Sequence, residues 1–257
     1  MAAPRFREPS DAGAMIPLHD DNPTEIQPRV TIGIIVVCVL VFLWQVSHSP
    51  NDFEQIAYSL GFIPSVLFGE NTLDPSLVMV SAPVSIFTSM FLHGGWLHLG
   101  GNMLYLWIFG NNVEDAMGHL KFAMFYVACG VAAAMAQAAQ DPSSAVPMIG
   151  ASGAIGGVLG AYLLLHPFAR ILVVIPIGFL IPFRIPAFLV LGVWFLFQFL
   201  ATASSGSEGD GIAYWAHIGG FAAGMVLVLV MKRREVPLWD RGSRGVKPQR
   251  WDRGPWV

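Results

Sequence analysis

Residues 149–165 read IGASGAIGGVLGAYLLL, an apolar segment in which glycine recurs and a single serine, Ser152, stands near the start. The segment is about long enough to cross the hydrocarbon core of a bilayer as a helix. A second apolar segment, residues 212–231, carries His217 about one turn from its start. Polar and ionisable side chains are expensive in lipid, so a serine and a histidine in two such segments indicate chemistry.

The composition points to a membrane protein before any motif is considered. Of the 257 residues 54% are hydrophobic and 12% are charged, and the mean hydropathy is +0.59, well above the usual range for a soluble domain. The sequence therefore predicts an all-α membrane protein with six transmembrane helices. We expect them at residues 30–46, 98–113, 122–139, 149–165, 185–203 and 212–231.

The basic residues predict how these helices are oriented. All 14 Lys and Arg residues fall in segments that share one side if both termini are cytoplasmic, as the positive-inside rule requires. The predicted outer loops, residues 47–97, 140–148 and 204–211, contain none of them. The first of these is a long loop associated with the membrane. A further apolar stretch, residues 171–181, is short, and Pro176 and Pro182 would interrupt a helix, so we expect a loop at the membrane surface there.

Three regions follow from this topology. Residues 1–28 are predicted to be a disordered cytoplasmic tail, within which the cluster at 19–21 is expected to be solvated. Residues 29–231 form the membrane domain, and residues 232–257 form a basic cytoplasmic tail that carries the sequence WDRG twice, at 239–242 and 251–254. Neither the net charge of −3 nor any motif indicates a nucleic-acid partner.

Helix geometry places the polar residues at one depth. The second, fourth and sixth spans run in the same direction, and counting back from their inner ends reaches His98, Ser152 and His217 after 15, 14 and 15 residues. At 1.5 Å per residue, each lies about 21 to 23 Å above the inner edge of the membrane. The serine and both histidines therefore share a layer in the outer part of the bilayer.

Small residues indicate which spans can touch. Gly153, Gly157 and Ala161 form one stripe on the fourth span, and Gly156 and Gly160 form a second. A third stripe, Gly220 with Gly224, lies below His217 on the sixth span. Such stripes allow helix backbones to approach closely in membranes, although they also occur as ordinary packing motifs. Here a nucleophile and a base stand at the tops of two stripes.

With these residues the chain resembles the rhomboid family of intramembrane serine proteases. The resemblance covers about residues 31–231, and its motifs occur in the order usual for the family. Gly150-Ala151-Ser152-Gly153 matches the family's GxSG, and Ala216-His217-Ile218-Gly219-Gly220 with Gly224 matches its histidine helix. His93, His98 and Asn102 match its HxxxxHxxxN pattern, and weaker agreements are Leu60-Gly61-Phe62-Ile63-Pro64 and Val113-Glu114-Asp115.

The resemblance implies a division of chemical roles. Ser152 is expected to be the nucleophile and His217 the base, working as a dyad without a carboxylate. The backbone N–H of Ser152 and the side chains of His98 and Asn102 are expected to stabilise the oxyanion. Gly150, Gly153, Gly220 and Gly224 are expected to support the site. His93 lies before two glycines and is expected to bond loop backbone or to hold water.

A metal site built from the histidines is the less favoured reading. The sequence has no HExxH motif and no cysteine pair, and no carboxylate stands beside His93, His98 or His217. The other structural reading is that the side chains of the histidines and of Asn102 form hydrogen bonds with neighbouring backbone. We predict neither a metal nor a cofactor.

The resemblance also implies substrates, partners and location. The expected activity is a serine endopeptidase that hydrolyses peptide bonds in or near transmembrane segments of other proteins, and the expected location is a bacterial plasma membrane. By family analogy the fifth span, with Trp194, Phe195 and Phe197, is part of the route by which a substrate enters. The alternative is a silent relative that binds or delivers membrane proteins without cutting them. Substrate, cleavage site and oligomeric state stay open.

Two positions depart from the family pattern. Val84-Ser85 stands where a Trp-Arg pair is often found, and Gly156 stands where an aromatic residue often packs on the histidine. These departures predict a differently anchored outer loop and a histidine that something else must position.

Overall fold

A computed structural model describes residues 16–176, 180–204 and 213–240. Within these ranges the chain is mostly helical, with one small sheet. The helices are α1 (Arg29–Val46), α2 (Pro50–Leu60), α3 (Pro64–Leu67), α4 (Ala82–Thr88), α5 (Trp96–Met117), α6 (His119–Gln140), α7 (Ser152–Leu165), α8 (Ala187–Ser204) and α9 (Tyr214–Met231). The strands are β1 (Ile16–Asp20), β2 (Arg170–Pro176) and β3 (Leu180–Pro186).

Each predicted span corresponds to one of the helices α1, α5, α6, α7, α8 and α9. Three of the described helices, α1, α6 and α9, are both long and apolar enough to cross a membrane, with mean hydropathies of 2.3, 1.6 and 1.7. The short helices α2, α3 and α4 lie between α1 and α5, within the predicted first outer loop. The chain is therefore a mostly helical membrane protein.

The prediction of an all-α protein is wrong, because three strands form an antiparallel sheet in the order β1-β2-β3. Residues 171–181, predicted to be a surface loop, instead belong mostly to the hairpin of β2 and β3. Ile171, Val173 and Val174 favour a strand, since β-branched side chains suit extended backbone. Partners along the hairpin include Leu172 with Arg184. Pro182 lies in the edge strand β3, and Pro176 lies beyond the part of β2 that pairs with β1, so both prolines are compatible with the sheet.

The expectation of a disordered tail does not hold for residues 16–28. Strand β1 pairs with β2, and the side chain of Asp20, predicted to be solvated, is buried. One oxygen of Asp20 accepts hydrogen bonds from Tyr162 Oη at 2.6 Å and from Asn112 Nδ2 at 2.8 Å. These bonds attach the N-terminal segment to α5 and α7. Residues 1–15 and 241–257, with the second WDRG copy, lie outside the described residues.

A buried carboxylate, Glu114, joins the start of α1 to the end of α5. Its oxygens accept from the backbone N–H groups of Val30 and Thr31 at 2.9 and 2.8 Å, and from Thr31 Oγ1 at 2.7 Å. The first N–H groups of a helix have no partner within the helix, and they favour negative charge. Glu114 therefore caps α1 from a neighbouring helix, in place of a side chain at the N-cap residue Pro28.

Helices α7 and α9 pack backbone against backbone. A methyl group on Gly220 would collide with the carbonyl oxygen of Gly153, and one on Gly224 would collide with that of Gly157. On the second stripe, a methyl group on Gly160 would collide with the carbonyl oxygen of Phe221. The close approach that the glycine stripes predict is present, and it fixes the relative height of α7 and α9.

Candidate active site

Ser152 and His217 meet at the N-terminal ends of α7 and α9. Ser152 is the first residue of α7, and His217 lies in the first turn of α9. Ser152 Oγ and His217 Nε2 are 2.8 Å apart, within hydrogen-bonding distance. Both side chains are held by helices whose glycines fit together, so the contact follows from the packing of α7 on α9.

The other ring nitrogen of His217 faces Gln198 on α8. His217 Nδ1 and Gln198 Oε1 are 2.7 Å apart. A carbonyl oxygen accepts hydrogen bonds and cannot donate them, so Nδ1 carries the proton of the neutral ring. Nε2 is then the acceptor, and Ser152 Oγ donates to it. This is the proton arrangement that a general base requires, because the lone pair faces the nucleophile.

His98 approaches the same place from α5. Its Nδ1 accepts a hydrogen bond from the backbone N–H of Gly94 at 3.3 Å, so the neutral ring carries its proton on Nε2. A Cβ added at Gly150 would lie 2.8 Å from His98 Nε2 and 3.6 Å from Ser152 Oγ. Gly150 also has φ of +128°, which side chains rarely adopt. Gly150 therefore lets the N–H donor of His98 come close to the serine.

Asn102 follows His98 by one helical turn on α5, so the two side chains lie on one face. The side chain is buried, and its Nδ2 has no hydrogen-bond partner among the described residues. Buried amide groups are normally paired, and an unpaired one costs free energy of about 1–3 kcal/mol. The Nδ2 group of Asn102 is therefore an available donor on the face of α5 that carries His98.

His93 is held in place by contacts with its own loop and with α1. Its ring Nδ1 donates to the carbonyl oxygen of Phe91 at 3.2 Å, and its backbone N–H donates to Gln45 Oε1 at 3.0 Å. Gln45 Nε2 returns a bond to the carbonyl oxygen of His93 at 3.3 Å. The rings of His93 and His98 meet edge to face, 5.3 Å apart. This geometry favours a structural role for His93.

The two departures from the family pattern have structural counterparts. A Cβ at Gly156 would lie 2.9 Å from the carbonyl oxygen of His217, so the backbone of α9 fills the place an aromatic side chain would need. Trp194 on α8 lies near the ring instead, with 6.0 Å between centroids. Val84 and Ser85 lie in α4, where Ser85 Oγ donates to the carbonyl oxygen of Ala82 at 2.8 Å.

The aromatic residues of α8 divide into two sets. Trp194 also packs against Phe221 of α9, and so does Phe195, whose ring centroid lies 4.6 Å away. Phe197 is exposed on the surface of the protein. Trp194 and Phe195 therefore hold α8 against α9, while Phe197 faces outward.

Sequence reasoning missed two glutamines at the site, Gln198 and Gln45. Gln198 is the one amide side chain in the apolar fifth span, residues 185–203. A lone polar residue in such a span is itself a sign of function. Gln45 stands near the end of the first span and is completely buried. Their partners depend on how the helices pack, which no short motif specifies.

No group of three His, Cys, Asp or Glu side chains suited to a metal ion occurs among the residues that the structure describes. A cavity of about 290 Å³ lies at the other end of the molecule, near β1 and the C-terminal ends of α5 and α7. Polar residues from the N-terminal segment, α5 and the start of β2 line it, and neither Ser152 nor His217 does.

These features define a helical membrane protein in which a serine and a histidine are hydrogen-bonded between two helices that pack through their glycines. A family model described as the Rhomboid domain matches residues 81–234. This range includes α5 to α9 and every residue of the candidate site except Gln45. The chain belongs to the rhomboid family.

Several curated proteins are similar to about half of the chain. Rhomboid protein 1, mitochondrial, of Saccharomyces cerevisiae is 31% identical over 156 residues, which are 57% of this chain and 41% of that protein. Rhomboid protease GluP of Bacillus subtilis is 34% identical over 138 residues, 53% of this chain and 24% of that protein. RHOMBOID-like protein 5 of Arabidopsis thaliana is 31% identical over 114 residues, which are 44% of this chain and 37% of that protein. The matched part thus spans about two fifths or less of each relative, and the relatives come from mitochondria, bacteria and plants.

Proposed function

We propose that the protein is an intramembrane serine endopeptidase that hydrolyses peptide bonds in or near transmembrane segments of other proteins. The observation that carries the proposal is the 2.8 Å contact between Ser152 Oγ and His217 Nε2. Membership of the rhomboid family and the similarity to a relative named as a rhomboid protease support it. The chemistry needs no metal or cofactor, since serine and imidazole supply the nucleophile and the base.

In the proposed mechanism His217 Nε2 accepts the proton of Ser152 as the serine oxygen attacks the peptide carbonyl. The tetrahedral intermediate then collapses, and the imidazolium gives its proton to the leaving amine, which leaves an acyl ester on Ser152. Water, deprotonated by His217, attacks the ester, and the imidazolium then returns the proton to Ser152 Oγ as the carboxylic acid leaves. Serine and imidazole are both neutral before the reaction, so the resting site avoids a buried ionised group.

The negative oxygen formed in each attack needs donors already in place. We assign this role to the backbone N–H of Ser152, to His98 Nε2–H and to Asn102 Nδ2. The tautomer of His98 and the unpaired amide of Asn102 support the assignment. A preorganised donor of this kind contributes on the order of 10²- to 10³-fold to turnover.

The proposed topology keeps the six spans, with both termini on the cytoplasmic side. Two groups of contacts support it. The N-terminal segment, the hairpin and Arg233 gather at the inner ends of α5 and α7, where Arg233 bonds the backbone of Asp115 and Ala116. The loop before Ser152 bonds the first outer loop at the opposite end, for example from Gly150 N–H to the carbonyl oxygen of Ser89 at 2.9 Å. The domain bounds 29–231 and the tail 232–257 belong to the same proposal.

Substrate entry follows from the position of the site. An intact helix hides its carbonyl groups in its own hydrogen bonds, so a transmembrane substrate must unwind locally to be cut. Helix α8 is the side on which we place this entry. It carries Phe197, Leu200 and other exposed apolar side chains, while Trp194 and Phe195 pack against Phe221 of α9.

The test is cleavage of a reporter transmembrane protein by the purified chain in liposomes. We expect cleavage by the wild-type chain and no detectable cleavage by Ser152→Ala or His217→Ala, with unchanged thermal melting. Ser143→Ala, which removes an exposed hydroxyl in an outer loop, is the matched control and should cut normally. Normal cleavage by Ser152→Ala would refute the dyad.

The alternative function, binding or delivery without hydrolysis, makes the opposite prediction. A silent relative would associate with the reporter in the same liposomes and leave it intact, whichever residue occupies position 152. Retention of both Ser152 and His217, in contact, supports the enzyme instead.

A further inference from the structure

The ring of His217 is held on both nitrogens, and the second contact comes from a residue that the rhomboid motifs do not include. We propose that Gln198 is a positioning residue that fixes the tautomer and the orientation of His217. This inference rests on the proposed function, because it assigns His217 the role of base. Gln198 Oε1 lies 2.7 Å from His217 Nδ1, and Ser152 Oγ lies 2.8 Å from Nε2.

The chemical need for such a residue is general. A neutral imidazole has one N–H, on either nitrogen, and only the form with the proton on Nδ1 offers Nε2 as a base to serine. A carbonyl oxygen at Nδ1 selects that form because it accepts and cannot donate. When the ring takes the proton of Ser152, the same oxygen faces a cationic N–H, and charge-assisted hydrogen bonds are stronger than neutral ones.

An amide suits this position better than a carboxylate. An ionised carboxylate in the membrane layer would have to be desolvated, at a cost of several kcal/mol. Glutamine presents the same acceptor geometry with no net charge. Among the described residues no carboxylate hydrogen-bonds to His217, and the other titratable groups near its ring are His98 on α5 and Tyr214 on α9 itself.

Gly156 explains why the contact comes from α8. The backbone of α9 lies so close to Gly156 that no side chain on that face of α7 can stack on the ring. Trp194 and Gln198 are separated by one helical turn, so they share a face of α8. Trp194 contacts the ring of His217 and Gln198 bonds its Nδ1. Helix α8 thus supplies both supports that the ring lacks from α7.

The first experiment measures turnover of the transmembrane reporter by Gln198→Met and Gln198→Glu. Methionine keeps the length and helix preference of glutamine without the carbonyl acceptor, and glutamate keeps an acceptor oxygen. We expect Gln198→Met to lower kcat by on the order of 10- to 10³-fold, since loss of tautomer control in a serine protease costs up to about 10⁴-fold. KM should change less than about twofold, and Gln198→Glu should recover part of the lost kcat, because its oxygen can accept from Nδ1 although a carboxylate there must be desolvated.

The matched control is Gln140→Met, the same change at an exposed position at the end of α6. It should leave kcat and KM unaltered. A fall in kcat for Gln198→Met that Gln198→Glu does not recover would indicate a packing role and overturn the inference.

The second experiment reads the tautomer directly and does not depend on cleavage. Nitrogen-15 NMR of histidine-labelled protein, with His217 assigned by comparison with His217→Ala, should show a protonated Nδ1 and an unprotonated Nε2. Gln198→Met should lose this single tautomer. A protonated Nε2 in the wild-type chain would overturn the inference, even if Gln198→Met fails to fold.

The two proposals fail in different ways. Unchanged kcat and unchanged nitrogen signals in Gln198→Met, with Ser152-dependent cleavage in the wild-type chain, would reject the role of Gln198 and leave the protease standing. Cleavage that does not depend on Ser152 would reject the protease, and with it the role of Gln198 in catalysis.

Discussion

Ser152 and His217 show what a short motif can and cannot predict at the scale of single residues. The glycines around each residue and their equal depth predict that the two side chains meet, and the structure brings them to 2.8 Å. The protonation pattern of the ring depends on Gln198, which lies 19 residues from His217 and on another helix. Only the packing of α8 on α9 reveals it.

We expect the side chain of Asn102 to contribute to turnover. Its buried Nδ2 has no partner among the described residues, and we propose that it pairs with the oxyanion. Replacing Asn102 by Ala should lower kcat by on the order of 10- to 10³-fold, because one preorganised donor is lost. The melting temperature should stay close to that of the wild-type chain, since no hydrogen bond to a described residue is broken.

Cleavage kinetics and thermal melting of the same preparation test this prediction. Asn51→Ala, at an exposed position at the start of α2, is the control. An unchanged kcat in Asn102→Ala would remove Asn102 from the site.

Helices α7 and α9 show how much of the packing between two helices the sequence predicts. The sequence predicts which faces touch, because glycine at intervals of four marks a surface where backbones can meet. It does not predict α7 as Ser152–Leu165, three residues shorter at its start than residues 149–165. Gly150 there adopts a positive φ and its N–H bonds Ser89, so the helix begins only at the serine.

Gly220→Ala tests whether this packing holds the site together. The added methyl group would meet the carbonyl oxygen of Gly153, which is backbone and has no other rotamer to adopt. We expect α9 to be displaced, with a clear loss of thermal stability and at least about a tenfold loss of cleavage, as overpacking typically costs 1–3 kcal/mol.

Gly33→Ala is the control, because nothing lies within 4 Å of a Cβ added at that position in α1. Alanine is the better helix former by about 1 kcal/mol, so this variant should be neutral or slightly stabilised. Equal behaviour of the two variants would contradict the packing account.

The described helices carry different structures at their two ends. One end holds the candidate site and the segment between α1 and α5. The other end holds the three-stranded sheet, Glu114 and the segment around Asp20. The sequence predicts the helical part well, because apolar length is a strong signal. It does not predict the sheet, since a five-residue strand in a polar segment forms only through pairing with β2 and burial of Asp20.

We expect the buried carboxyl group of Asp20 to make docking of the N-terminal segment depend on pH. Burial raises the pKa of its carboxyl group from 3.8 to about 7, against the opposing effect of the Tyr162 hydrogen bond. The docked segment therefore favours a protonated Asp20, while the undocked segment releases the proton near its ordinary pKa of 3.8. The equilibrium constant for docking of this segment is therefore largest below about pH 4. It falls by up to about tenfold per pH unit as the pH rises, and it levels off above about pH 7.

Hydrogen exchange of the amides in residues 16–20 measures this docking. Protection in the wild-type chain relative to Asp20→Asn should fall from pH 4 to pH 7, because asparagine does not titrate and keeps a polar side chain there. Asp74→Asn, which changes an exposed carboxyl group between α3 and α4, should follow the wild-type profile. A constant ratio between the wild-type chain and Asp20→Asn across this range would contradict the account.

Covalent labelling is the most direct test of whether Ser152, activated by His217, is a nucleophile. The detergent-solubilised chain is treated with a fluorophosphonate probe, digested and analysed by mass spectrometry. The account predicts one adduct, on the peptide that contains Ser152, and its absence from Ser152→Ala and His217→Ala. An adduct on another serine, or equal labelling of the wild-type chain and Ser152→Ala, would contradict it.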